Sequence, residues 1–314
     1  IRDDLVTGVQ TCALPISRRI SCFFLRYVIM SESKITVIIG PTGIGKSDYA
    51  IQLAKKTGAE IISSDAFQVY RHMDIGTAKV PLEIRTQIPH HLVDILDPDE
   101  PYNVAQFMKR TTKLVEAIKQ SQKPIILCGG TGFFIKAFLF RFTFPEHQID
   151  VALRASLTQL ASQPNRLWQR LDDIDPVRAA QLNPNDTQRL IRAIELYELT
   201  KQKPSTLSPG TSKQRDDVHI IGLEAPRATI IDRINTRVDK MIDLGLIDEV
   251  SQLVSQYGTS CLSFQALGYK ETIQYLQGSL GKEEMIDLIK LKTRQFSKRR
   301  SEEHTSELQS PDHL

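Results

Sequence analysis

Residues 35–47, ITVIIGPTGIGKS, decide the fold. Ile35–Ile39 is an uncharged, β-branched run, the pattern of a parallel strand buried on both faces. The next eight residues, Gly40-Pro41-Thr42-Gly43-Ile44-Gly45-Lys46-Ser47, match the phosphate-loop spacing. SDYAIQLAKKTG then reads as a helix that stops at Gly58. Strand, loop and helix in this order are what phosphate binding requires. Glycines let backbone N–H groups wrap an anion. The helix start adds a favourable dipole. Lys46 supplies a point charge, and the Ser47 hydroxyl is suited to ligate Mg²⁺.

Outward from this unit, the chain alternates strand and helix. Glu60–Ser63 reads as a second strand and Pro124–Cys128 (PIILC) as a third, with a helix over Asn103–Ser121 between them. Arg71–Pro101 reads as a long irregular stretch. Val218–Leu223 (VHIIGL) is a further strand, and Arg227–Tyr257 and Lys282–Arg299 read as helices. Between Ile149 and about Lys203 the sequence is polar and helical without a strand. The expected fold is therefore α/β. It has a P-loop NTPase-like core, a parallel sheet flanked by helices, and a small all-α insertion. The expected boundaries are 30–145 and 216–299 for the core and 146–215 for the insertion.

The two ends are set apart from this reading. Arg300–Leu314 (RSEEHTSELQSPDHL) can be encoded by DNA whose reverse complement, one frame over, encodes Asp3–Ile16. Both ends are taken as sequencing-adapter read-through, with 17–29 as upstream sequence and Met30 as the expected start. Residues 1–29 and 300–314 are thus excluded, and a native C-terminus beyond Arg299 is expected. The rest has ordinary globular composition. The whole chain carries a net charge of +3 and residues 30–299 carry +4, a mild excess that permits an anionic partner without demanding one. No apolar run is long enough to span a bilayer. Cys128 and Cys261, the cysteines outside the excluded segments, are too few for a disulfide framework. A cytoplasmic, monomeric protein without a membrane partner is expected.

Asp65 falls just after the second strand, at the carboxyl edge of the sheet where open α/β folds bind ligands. A carboxylate there suits metal ligation or proton transfer; a turn or cap role is equally compatible with the local pattern. His90 and His91 are adjacent and point apart on a strand, which favours packing roles over a metal pair.

Successive stretches of the chain resemble the tRNA dimethylallyltransferase family. They are GPTGIGKS, SSDAFQVYRHMDIGTAK, PHHLVDILDPDEPYNVAQF, GGTGFF, NPNDTQRLIRAIE, RINTRVDKMIDLGLIDEV and QALGYKE. They run in order from about Ile35 to Arg299. The resemblance implies transfer of a dimethylallyl group from dimethylallyl diphosphate to N6 of adenosine-37. That base lies beside the anticodon of tRNAs that read codons beginning with U. It implies Asp65 as general base, Thr131 near the diphosphate and reacting centre, and Arg237 on the diphosphate. Gly40–Ser47 would bind diphosphate or nucleotide, with Ser47 on Mg²⁺. It further implies tRNA contact by Asp65, Ala66, Phe67, Gln68 and Thr131. The same holds for Arg154, for Gln188, Arg189, Leu190, Ile191 and Arg192, and for Gln265, Ala266, Leu267, Gly268, Tyr269 and Lys270. Ala66 stands where the family usually has Ser, and Phe134 where Tyr is common.

Two other readings share the phosphate loop. A small-molecule kinase would use ATP on it, but the strand ending Cys128-Gly129-Gly130 has no acidic residue in the Walker-B position. An adenylate isopentenyltransferase would prenylate free AMP; the long insertion favours a polynucleotide acceptor.

Overall fold

The computed structural model describes residues 9–13, 35–144, 150–207, 210–211 and 213–306. Met30, the expected start, and most of the two excluded ends lie outside the described residues. The chain divides into two compact units: Ile1–Arg141 with Ser212–Leu314, and Phe142–Thr211.

The first unit is built on a parallel sheet. Its strands are β1 (Val9–Ala13), β2 (Ile35–Ile39), β3 (Glu60–Ser63), β4 (His90–His91), β5 (Ile125–Cys128) and β6 (Val218–Glu224), in the spatial order β1-β6-β2-β5-β3-β4. β1 comes from the excluded N-terminal stretch and pairs in parallel with β6 at the edge. The chain leaves β2, skips one position to β3, and returns through β5 to fill the gap. This puts the carboxyl ends of β2, β5 and β3 side by side, the arrangement at which open α/β sheets bind ligands.

Every residue of β2 and β5 is buried, as their apolar runs require. Ile38, Ile61, Ile126 and Cys128 share one face with Ala50 and Ala54 of α1 (Lys46–Thr57). Between β3 and β4 lies a single helical turn, α2 (Leu82–Arg85). The helix α3 (Val104–Gln120) is capped by the Asn103 side chain, which accepts from the Gln106 amide at 3.0 Å. It packs on α4 (Gly132–Leu139), with Phe107 stacked on Phe134 at 4.6 Å between centroids.

The second unit holds α5 (Val151–Leu160), α6 (Arg166–Ile174), α7 (Pro176–Ala180) and α8 (Thr187–Thr200). Leu157, Leu171, Leu190 and Ile194 are fully buried at its centre. Its C-terminal limit precedes residue 215 because the following residues belong to the sheet unit. Arg215 N donates to Leu139 O at 2.9 Å, and the Asp216 carboxylate lies 3.6 Å from Arg141.

The single helix expected over Arg227–Tyr257 is two, α9 (Arg227–Asp243) and α10 (Leu246–Tyr257), broken at Gly245 with φ 96°. A left-handed residue ends one helix and redirects the chain. Two more follow, α11 (Tyr269–Leu276) and α12 (Lys282–Ser306). The latter continues past Arg299 into the excluded C-terminal stretch. The segment read as irregular contains α2 and β4. His91 Nε2 there meets Glu60 at 2.7 Å, and His90 Nδ1 lies 2.7 Å from Ile88 O. No cluster of three metal-ligating side chains occurs among the described residues. Among the described residues, no helix is long and apolar enough to cross a membrane.

Trp168, the only tryptophan, donates to Ala179 O at 2.9 Å inside the helical unit and reports on it alone. Leu190→Ala removes a fully buried side chain there. It is expected to destabilise that unit by about 2–5 kcal/mol. The check is an earlier Trp168 fluorescence transition in urea than in the parent.

Candidate active site at the carboxyl edge of the sheet

The loop after β2 is shaped by close approach. A Cβ on Gly40 would lie 2.7 Å from Leu223 O, and Gly40, Gly43 and Gly45 all have positive φ. Lys46 folds back over the loop, donating to Gly40 O at 2.7 Å and Pro41 O at 3.0 Å. Other carbonyls of the loop are held from outside. Arg233 on α9 donates to Ile44 O at 2.8 Å, and Ser297 on α12 to Thr42 O at 3.0 Å. Arg300 donates to the Thr42 hydroxyl at 2.8 Å. With its carbonyls engaged, the loop presents its amides and the first turn of α1 to an anion. Ser47, in that turn, is exposed.

The loops after β3 and β5 are locked together. Ser64 N donates to Cys128 O, and Thr131 N donates to Ser64 O, both at 3.0 Å. The Thr131 hydroxyl accepts from Ala66 N at 3.0 Å. A Cβ on Gly129 would come within 2.4 Å of the Ser64 carbonyl carbon, and one on Gly130 within 2.6 Å of Asp65 Oδ2. Gly129 is therefore needed for the two backbones to approach, and Gly130 leaves room for the Asp65 side chain. Asp65 Oδ1 accepts from Phe67 N at 2.9 Å and Gln68 N at 3.3 Å, while Oδ2 lies against Gly130.

These loops share one electrostatic field. Burial pushes the Lys46 ammonium down to about 8; Asp65 opposes that fall, and Arg300 and Arg237 add to it. Burial likewise lowers the Arg237 guanidinium on α9, against the pull of Asp65 and Asp48. Cys128 is pushed up to about 11 by burial, with Lys46 opposing. Burial also raises the Tyr102 phenol, with Asp65 among the contributors. Lys46, Arg237, Asp65 and Thr131, far apart in sequence, thus meet at one edge. The edge offers an anion cradle, and beside it a carboxylate with one oxygen committed to the backbone.

A family model described as IPP transferase matches residues 68–302. The tRNA dimethylallyltransferase of Carboxydothermus hydrogenoformans is 44% identical over 274 residues, covering 86% of this chain and 88% of that protein. The chain belongs to the IPP transferase family. The crystal structure of the full-length tRNA isopentenylpyrophosphate transferase from Bacillus halodurans is 38% identical, with a TM-score of 0.64 over 88% of each chain. A eukaryotic dimethylallyltransferase acting on tRNA, seen in crystallographic snapshots, is 31% identical with a TM-score of 0.77. That match covers 86% of this chain and 69% of the other.

Against the IPP transferase resemblance, the remaining expected positions divide by exposure. In the segment 265–270, Gln265 and Lys270 are exposed, but Ala266, Gly268 and Tyr269 are buried. In the helical unit, Gln188, Arg189 and Arg192 are exposed, while Leu190 and Ile191 form its core. Arg154 is held by Glu195 through a two-pronged ion pair at 2.6 and 2.7 Å, and Arg192 lies 3.5 Å from the same carboxylate. Gln68 is turned inward: its Nε2 donates to Thr77 O, and its Oε1 accepts from Ser63, both at 3.2 Å. The family stretches therefore contain core residues alongside surface ones.

Sequence reading missed Arg233 and Ser297. Arg233 precedes Arg237 by four residues, which places both on one face of α9, a signal that was available. Nothing in the local sequence marks Ser297.

Lys46 has a folded-state pKa below its usual value, so its charge is lost as pH rises through about 8. An anion in the cradle favours the charged form, so binding above that pH takes up a proton. Inorganic diphosphate affinity is expected to fall above pH 8 by up to roughly tenfold per pH unit. Calorimetry in buffers of different ionisation enthalpy should show proton uptake. Lys46→Arg should remove both effects.

Proposed function

We propose that this protein transfers the dimethylallyl group of dimethylallyl diphosphate to N6 of adenosine-37, next to the anticodon of tRNAs that read codons beginning with U. The products are N6-(dimethylallyl)adenosine and diphosphate. The observation that carries this reading is the meeting, at one sheet edge, of a diphosphate cradle with the Asp65 carboxylate, whose field reaches both Lys46 and Arg237.

The chemistry follows from the residue types. The allylic C–O bond breaks and negative charge grows on the departing diphosphate. Lys46, Arg237 and the loop amides stabilise that charge more as it develops, which lowers the barrier. The adenine amine is a weak nucleophile because its lone pair is shared with the ring. As N6 bonds to the allylic carbon, Asp65 Oδ2 takes the N6 proton, its partner oxygen being fixed by the Phe67 and Gln68 amides. The Thr131 hydroxyl, which accepts from Ala66 N, keeps its own hydrogen to donate to a diphosphate oxygen. The leaving group is already activated, so no ATP is consumed.

Mg²⁺ suits this edge. Ser47 offers an exposed hard-oxygen donor at the phosphate loop, and Mg²⁺ binds through one or two protein oxygens plus substrate phosphates and water. Held by Ser47 and the diphosphate, it would supply further positive charge to the leaving group. The target base must leave its stack to reach Asp65. The exposed Gln188, Arg189, Arg192, Arg154, Gln265 and Lys270 are assigned to the RNA, the cations to its phosphates.

Incubation with unmodified tRNA, dimethylallyl diphosphate and Mg²⁺ should yield prenylated adenosine in the digested RNA. Prenyl transfer to AMP alone, or ATP-dependent phosphorylation of a small acceptor, would overturn the assignment. Asp65→Ala should lower the transfer rate by about 10²- to 10⁴-fold while tRNA binding persists; unchanged turnover removes Asp65 from the reaction.

A further inference from the structure

Glu249, in the first turn of α10, is half-buried, and both of its oxygens are engaged far from its own helix. Its Oε2 accepts from Asp74 N at 3.0 Å and Ile75 N at 2.7 Å. Its Oε1 accepts from Gly76 N at 3.2 Å and from the Tyr269 hydroxyl at 2.6 Å. Three consecutive backbone amides and a phenol thus converge on one carboxylate. Hydrogen bonds to a charged acceptor are the stronger kind. Tyr269 is fully buried, and its ring occupies the space of a side chain at 76: a Cβ there would lie 2.3 Å from Tyr269 Cε2.

The segment held in this way leads back to Asp65 through a hydrogen bond at every step. Residue 77, next after the clamped amides, offers its carbonyl to Gln68 Nε2 at 3.2 Å. Gln68 Oε1 is fixed by the Ser63 hydroxyl, and Gln68 N donates to Asp65 Oδ1. His72 (φ 63°) and Ala78 (φ 47°) flank the clamped stretch in the left-handed region, which side chains disfavour. An anchor from outside helps the loop keep this shape, and Glu249 provides three bonds to it.

We propose that Glu249 is a positioning residue for Asp65. By gripping the amides of residues 74–76 it fixes the Thr77 carbonyl, which holds the Gln68 side chain and so the backbone amide on Asp65 Oδ1. The other oxygen, Oδ2, which lies beside Gly130, is thereby held in place for the reacting amine. This rests on the reading of Asp65 as the base, and it assigns a task to a residue on a helix that carries no part of the phosphate cradle.

The test compares Glu249→Gln, Asp65→Asn and the double variant in single-turnover prenyl transfer at saturating tRNA and dimethylallyl diphosphate. Glu249→Gln should slow transfer by roughly 10- to 100-fold, the scale of a displaced catalytic group. Inorganic diphosphate affinity should stay within about twofold, since the cradle is untouched. The double variant should be no slower than Asp65→Asn alone, because the two residues act through one group. Additive losses, or a wild-type rate in Glu249→Gln, overturn the proposal.

Amide hydrogen exchange gives a readout independent of turnover. Glu249→Gln should quicken exchange at Phe67 and Gln68 together with residues 74–76; a change confined to 74–76 also overturns it. If Glu249→Gln fails to fold, Tyr269→Phe, which removes one of the four bonds, takes its place with the same two criteria and a smaller loss. A parent protein that forms no prenyl-adenosine would instead sink the functional reading, and the exchange criterion would still decide the linkage.

Discussion

A lysine ammonium turned inward onto the Gly40 and Pro41 carbonyls is the charge around which the edge of the sheet is arranged. Burial disfavours that cation strongly enough to bring its pKa to about 8. Two backbone oxygens and the nearby Asp65 partly compensate, while the second buried cation, Arg237, works against it. The result is an edge where the cations Lys46, Arg237 and Arg300 outnumber the nearby carboxylates Asp65 and Asp48. A diphosphate relieves that excess. In the proposed reaction the same excess stabilises a leaving diphosphate more than a bound ester, because charge rises as the bond breaks.

The other requirement is distance. Asp65 can share the field of Lys46 only if the backbones after β3 and β5 approach to the limit of contact. Gly129 permits this, Gly130 leaves room for the Asp65 carboxylate, and Thr131 fastens the approach from both its amide and its hydroxyl. The two oxygens of Asp65 then differ. One is committed to main-chain amides, and the other lies beside Gly130, as does the Arg300 guanidinium. Loop, glycine pair and threonine therefore form one mechanical unit that converts strand packing into the aim of a carboxylate.

The helical unit obeys a separate logic. Its core of leucine and isoleucine is small, and Glu195 is almost wholly buried within it. That carboxylate is tolerable because Arg154 grips it with two bonds and Arg192 stands close by. Both arginines keep about half their surface exposed, 44% and 51% of the side chain. They can serve the unit's stability and still present charge outward, so structural and RNA-contacting roles are not exclusive for them.

The residues alone determined the phosphate loop, the buried strands Ile35–Ile39, Glu60–Ser63 and Ile125–Cys128, the helix over Asn103–Ser121, and the existence of a strandless helical insertion. Each of these is written in a short window: an apolar run, a glycine spacing, a helical period. Asp65 and Thr131 were legible as candidates through motif resemblance. The break at Gly245, the helix at Tyr269–Leu276 and the short strand at His90–His91 were not. Their local patterns are weak, and packing against distant elements selects them. Tertiary structure alone showed that Tyr269 is a core residue, that Gln68 points inward, and that Arg233, Ser297 and Glu249 brace loops remote from them in the chain. Such contacts join residues up to 255 positions apart, and no periodicity along a sequence encodes which side chain will meet which carbonyl once the chain has closed on itself.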